Sequence, residues 1–109
     1  GWTERDEPAL DLARQAVKQG VDERLIPVQR VFAYLPYEHS EDLAMQDRSV
    51  ALFAGLAEGR EGFGAYLDYA EKHRAVIRRF GRFPHRNAIL GRASTPEEIE
   101  YLAQPGAGF

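Results

Sequence analysis

An all-α fold, built as an array of helical hairpins, is what this sequence predicts, and three observations carry the prediction. Apolar residues recur at helical spacing in several separate stretches, glycine or proline punctuates those stretches, and nothing alternates with period two over a useful length. Helices of this length joined by short turns must be antiparallel neighbours, and the pattern gives about five of them. The 109 residues suit one domain, expected over 1–109 with loose ends at 1–5 and 104–109.

Each element has its own signal. Asp6-Glu7-Pro8 offers an N-cap, an acidic first turn and a proline at the first helical position, so a helix is expected from there, with Leu10, Ala13 and Val17 on one face and a stop at Gly20. A second helix starts at Pro27. Its Val28, Val31, Phe32 and Leu35 fall at i, i+3, i+4 and i+7, and Pro36 should end or kink it. Ser40 is the expected N-cap of a third helix reaching Glu58, with Glu41 and Asp42 in its first turn and Leu43, Val50 and Phe53 on its apolar stripe. The glycines of Gly59-Arg60-Glu61-Gly62-Phe63-Gly64 lack the preceding strand and following Lys-Ser/Thr of a phosphate loop, so they make a turn. The fourth helix carries Phe63, Leu67, Ala70, Ile77 and Phe80 on one side, and Gly81 follows its last basic turn. Thr95-Pro96-Glu97-Glu98 combines a capping box with proline at the first helical position and opens a last short helix to about Ala103. The expected core is Leu10, Val31, Phe32, Leu35, Leu43, Val50, Phe53, Leu67, Ile77 and Phe80.

Composition and charge narrow the function. With 44% hydrophobic and 28% charged residues the chain is globular in composition, and the lack of cysteine excludes disulfides, thiolate metal sites and cysteine nucleophiles. No apolar run approaches the roughly 20 residues of a membrane helix, so a cytoplasmic protein is expected. The chain opens at Gly1-Trp2-Thr3 without an initiator methionine, which leaves its natural start open. Between Lys72 and Arg92 stand seven basic residues and no acid, whereas residues 38 to 71 hold eight acids against two arginines. The basic segment is expected to fold against the acidic one. A net charge of −3 argues against nucleic acid as a partner.

No residue set spells out a chemistry. The histidines His39, His73 and His85 lack metal-ligand spacing, so neither metal nor cofactor is expected, and His73 reads as a partly buried, hydrogen-bonded residue of the fourth helix. Ser40 adjoins His39, but capping explains it better than nucleophilic chemistry. The dense polar stretch Gly81-Arg82-Phe83-Pro84-His85-Arg86-Asn87 leaves the fourth helix sharply, since Pro84 holds Phe83 extended, and enters another short helical turn through Ile89 and Leu90. Together with Tyr37-Glu38-His39-Ser40-Glu41-Asp42-Leu43 it makes the candidate ligand site: His39, Glu41, Asp42, Arg82, His85, Arg86 and Asn87. The two motifs are expected to meet, with Glu41 or Asp42 paired to Arg82 or Arg86.

These strings resemble a bacterial family of uncharacterised helical proteins, domain-of-unknown-function family 924. The likeness rests on Leu35 to Leu43, Arg48-Ser49-Val50, Arg79 to Asn87 and Ser94 to Glu98, and runs from about Asp6 to the end. It implies a tetratricopeptide-like α–α superhelix and no activity, and typical members carry a further helical half upstream. The chain is therefore read as a binding or interaction module for a peptide or small anionic ligand, with self-association expected where the further half would pack. The competing readings are a small enzyme using His39 or His85 with Arg82 and Arg86 on an anionic substrate, and a purely structural domain whose polar motifs lock helix ends.

Overall fold

A computed structural model describes the backbone of residues 2–107 and the side chains of 8–107. Six α-helices follow one another: α1 (Trp2–Lys18), α2 (Pro27–Glu38), α3 (Leu43–Ala57), α4 (Gly64–Phe80), α5 (Asn87–Leu90) and α6 (Pro96–Leu102), with 3₁₀ turns at Val21–Arg24 and Pro84–Arg86. No strand occurs among the described residues. The expected glycines do their work: Gly20 and Gly81 take φ of 71° and 74°, a region open to glycine because it lacks a Cβ. The helix expected from Asp6 begins instead at Trp2, so Pro8 lies inside it and the first residues form its opening turns. Residues 108 and 109 of the expected loose tail lie outside the described part.

Pro36 does not end α2, which runs on through it to Glu38. A proline in the final turn removes one backbone bond, and the helix has only two residues to run beyond it. Past the end of the helix the leftover carbonyls find a donor: the buried Gln46 amide gives Nε2–H bonds to the carbonyls of Glu38 (2.6 Å) and Ser40 (2.7 Å). This side chain of α3 closes the α2–α3 turn. Asp42, rather than Ser40, caps α3 by accepting from the Ala44 amide at 2.8 Å, while Ser40 accepts from the Asp42 amide one step earlier.

The buried face of α2 is rotated from the expected one. Val31, Tyr34, Tyr37 and Glu38 point inward, and Phe32 is 68% exposed. Tyr34 can be buried because its hydroxyl donates to the buried Asp22 carboxylate and accepts from Arg30 Nε at 3.1 Å. With that bond made, the tyrosine face wins the interior and Phe32 is turned out. Leu43 is also exposed, at 42%, because the inward stripe of α3 runs Gln46, Ser49, Phe53 and Leu56 and the first residue of the helix lies before it.

Two apolar clusters result. Val31, Tyr34, Phe53, Leu56 and Ala70 join α2, α3 and α4, with Tyr34 and Phe53 edge to face at 5.8 Å between ring centres. Val76, Ile77 and Phe83, with Phe80 and Tyr101 against them, join α4 to the C-terminal segment. His73 lies on α4 between the two, and the polar residues gather there.

Candidate functional site

The site forms where the end of α2, the middle of α4 and the 3₁₀ turn at Pro84–Arg86 come together. Glu38 and His39 close α2, Tyr69 and His73 lie one turn apart on α4, Phe83 is held extended by Pro84, and His85 and Arg86 follow in the 3₁₀ turn. These seven residues line a cavity of about 260 Å³. Its rings surround one another: His39 and His73 lie 6.5 Å apart between centres, Tyr69 and His73 6.3 Å, His73 and Phe83 5.6 Å, and Phe83 and His85 5.7 Å. The Arg86 guanidinium stacks 4.7 Å above Phe83 and donates to the His39 carbonyl at 2.8 Å, so the cation is fixed from two sides.

Burial sets the charge states. Glu38 is almost wholly enclosed, and loss of water raises its carboxyl to about 7. Its neighbour is the His73 ring, with Nδ1 at 3.7 Å. Burial lowers His73 to about 4 despite the bond that Nδ1–H donates to the Tyr69 carbonyl at 2.7 Å, so its imidazole is neutral at pH 7 with Nε2 as an acceptor. Burial, assisted by the nearby Arg86 charge, also lowers His85. The cavity therefore holds a fixed cation beside the neutral imidazoles of His73 and His85 and a carboxyl that gives up its proton near neutrality.

A shell of charged clamps holds this cavity in shape. Glu41 takes both arms of Arg92, at 2.9 and 3.0 Å, and accepts the Phe83 N–H at 2.6 Å. Burial pushes the Glu41 carboxyl up, but Arg92 and the Phe83 amide outweigh it and hold the group below its usual value. Arg92 also donates to the Phe83 carbonyl (3.1 Å) and to Asn87 Oδ1 (3.0 Å), and the Asn87 amide reaches Ser94 Oγ at 3.0 Å. Farther out, Arg82 grips Glu98 with two bonds of 2.7 and 2.9 Å and donates to the Ala93 carbonyl. Glu98 closes the expected box with Thr95, and the Arg82 fork chiefly brings its carboxyl down to about 2.

Of the seven candidate residues, His39, His85 and Arg86 line the cavity. Glu41 and Asn87 belong to the clamp behind it, Arg82 faces Glu98, and Asp42 is a helix cap. The two motifs meet through Glu41 with Phe83 and Arg86 with His39, but the expected carboxylate pairing is corrected. Glu41 takes Arg92 and Arg82 takes Glu98, because the turn through Gly91 brings Arg92 back across Asn87 while Arg82 is drawn to the start of α6. Glu38, Tyr69, His73 and Phe83 were missed as site residues; His73 reads from the sequence only as a partly buried, hydrogen-bonded residue of the fourth helix. Glu38 carried a signal, since it falls four residues after Tyr34 and seven after Val31 on what proves to be the inward face of α2.

Fold and site define an all-helical protein in which two apolar clusters meet at a histidine-rich cavity. The chain belongs to the family described as "Bacterial protein of unknown function (DUF924)", which matches residues 2–106. It is similar to a solved structure, the protein of unknown function ATU0120 from Agrobacterium tumefaciens, with 46% sequence identity and a TM-score of 0.82. The match covers 90% of this chain and 52% of that one, so the chain spans about half the length of this relative. No curated protein matches it. No helix among the described residues is long and apolar enough to cross a membrane, and no three histidine or carboxylate side chains among them are placed so that they could hold one metal ion.

Proposed function

We propose that this chain is a cytoplasmic binding module of tetratricopeptide-like type, and that the His39–His73–His85–Arg86 cavity seats a small organic anion. One observation supports this most: a nearly buried carboxyl group, three imidazoles and a fixed guanidinium, drawn from three segments far apart in sequence, meet in one cavity. Such a gathering is costly in a core that apolar residues could fill. The rings suit an apolar body, and the Arg86 fork suits a carboxylate. Self-association belongs to the same proposal, since large apolar side chains remain exposed.

Nuclear magnetic resonance of the three histidine rings tests the reading, with acetate, benzoate and inorganic phosphate as probes. Benzoate should move all three rings in a saturable way, with affinity falling above about pH 7 as Glu38 becomes charged. Arg86→Lys keeps the charge but loses the fork and should weaken binding at least about tenfold. Rings unmoved by every probe would return the cavity to a structural role. A second reading is favoured by Glu38 alone, because a carboxyl that titrates near 7 can exchange a proton with a bound molecule. Turnover that stops in Glu38→Gln while binding persists would establish it.

A further inference from the structure

A second cavity lies on another side of α2, between α1 and α3. It measures about 710 Å³, and its lining includes Arg14 and Lys18 from α1, Met45 and Arg48 from α3, and Tyr37 from α2. Tyr37 and Glu38 are successive residues, so their side chains leave α2 about 100° apart and serve different cavities. We propose that this cleft binds the phosphate group of a small, soluble phosphorylated molecule.

Charge is the first support. Carboxylates engage Arg74 and Arg78 (Asp47), Arg82 (Glu98) and Arg92 (Glu41), and of the cations left without one, three line this single cavity. Among the described residues Arg14, Lys18 and Arg48 have no carboxylate within ion-pairing distance, although the chain as a whole carries a net charge of −3. Asp47, beside Arg48 in sequence, is turned to α4 instead. Arg14 and Lys18 stand at i and i+4 on one wall and Arg48 on the other, so the cations approach from both sides. Three cations against the one lining acid, Asp11, leave a surplus that matches a phosphate dianion better than a single carboxylate.

Chemistry at the floor is the second support. Tyr37 is fully enclosed, and burial raises its hydroxyl pKa while Arg48 and Arg14 pull it back, which places both guanidinium groups near that hydroxyl. It is a neutral O–H at pH 7, enclosed beneath the cleft, where it steadies the Arg48 guanidinium from behind. Arginine forks take two phosphate oxygens together. Val17, Ala44 and Met45 supply apolar wall for the organic body, and the volume is that of a small-molecule cleft rather than a track for a polymer.

The test uses the intact chain, labelled for nuclear magnetic resonance and titrated at constant ionic strength with sodium chloride, inorganic phosphate and glycerol 3-phosphate. Saturable shifts are expected at Arg14, Lys18, Met45 and Arg48 with both phosphates, tighter for glycerol 3-phosphate, and the His39 and His85 rings should not follow. Arg14→Gln and Lys18→Gln change exposed side chains, so the fold should survive, and each should weaken binding at least about fivefold to tenfold. Shifts that track chloride equally, or that persist undiminished in both variants, overturn the proposal. Concentration-dependent shifts in the cleft without added anion overturn it in favour of a second copy of the chain.

Discussion

Glu38 and His73 show how a single buried pair shapes pH behaviour. The Glu38 carboxyl is raised to about 7, so the folded chain holds that proton longer than the unfolded chain, and its contribution to stability falls as pH rises from about 4.5 through 7. His73 is lowered to about 4, so the unfolded chain takes up its proton first and the contribution rises from pH 4 to about 6.5. The two slopes oppose each other over most of that window. Denaturant midpoints of the parent chain should therefore change less between pH 5 and 6 than either group alone would dictate, with a residual rise from His85, which burial also lowers. Glu38→Gln should uncover the rising slope and His73→Gln the falling one, each roughly 1 kcal/mol per pH unit. A parent chain with a steep slope of either sign, unchanged by both substitutions, would contradict this account.

At the scale of elements, helix ends were the most legible part of the sequence. Thr95 to Glu98 announced α6, and Gly20 and Gly81 marked stops, because caps and left-handed glycines act within a turn of where they are written. The inward face of α2 was less legible. Whether Tyr34 or Phe32 is buried depends on Asp22, twelve residues away, and no local period carries that information. The same limit applies to the site: polar motifs showed that two segments should meet, but which arginine meets Glu41 was decided by a turn 50 residues on. The clamp can be measured. Glu41→Gln and Arg92→Gln should each cost about 2–3 kcal/mol in chemical denaturation, and the double substitution should cost clearly less than their sum, since each single change strands a half-buried partner. Additive losses would mean that the two groups act separately.

As a whole, the molecule is a slab of 44 × 30 × 19 Å with a radius of gyration of 14.6 Å, against about 13 Å for a compact domain of this length. Its thinnest dimension is about two helices deep. A slab leaves much surface uncovered, and Leu12, Phe32 and Ile89 are each more than two-thirds exposed. Sedimentation should find dimers or larger species increasing with protein concentration, and Phe32→Glu should shift the balance towards monomer; a parent chain that stays monomeric throughout would remove self-association. The clamps also constrain how such a slab can be inherited. An apolar contact tolerates a neighbour of similar volume, so its members can drift one at a time. Glu41 and Arg92 cannot: they sit 51 residues apart, and either change alone leaves a charge stranded against the Phe83 backbone. Lineages that alter this clamp should have altered both ends together, so the two distant positions behave in descent as one character.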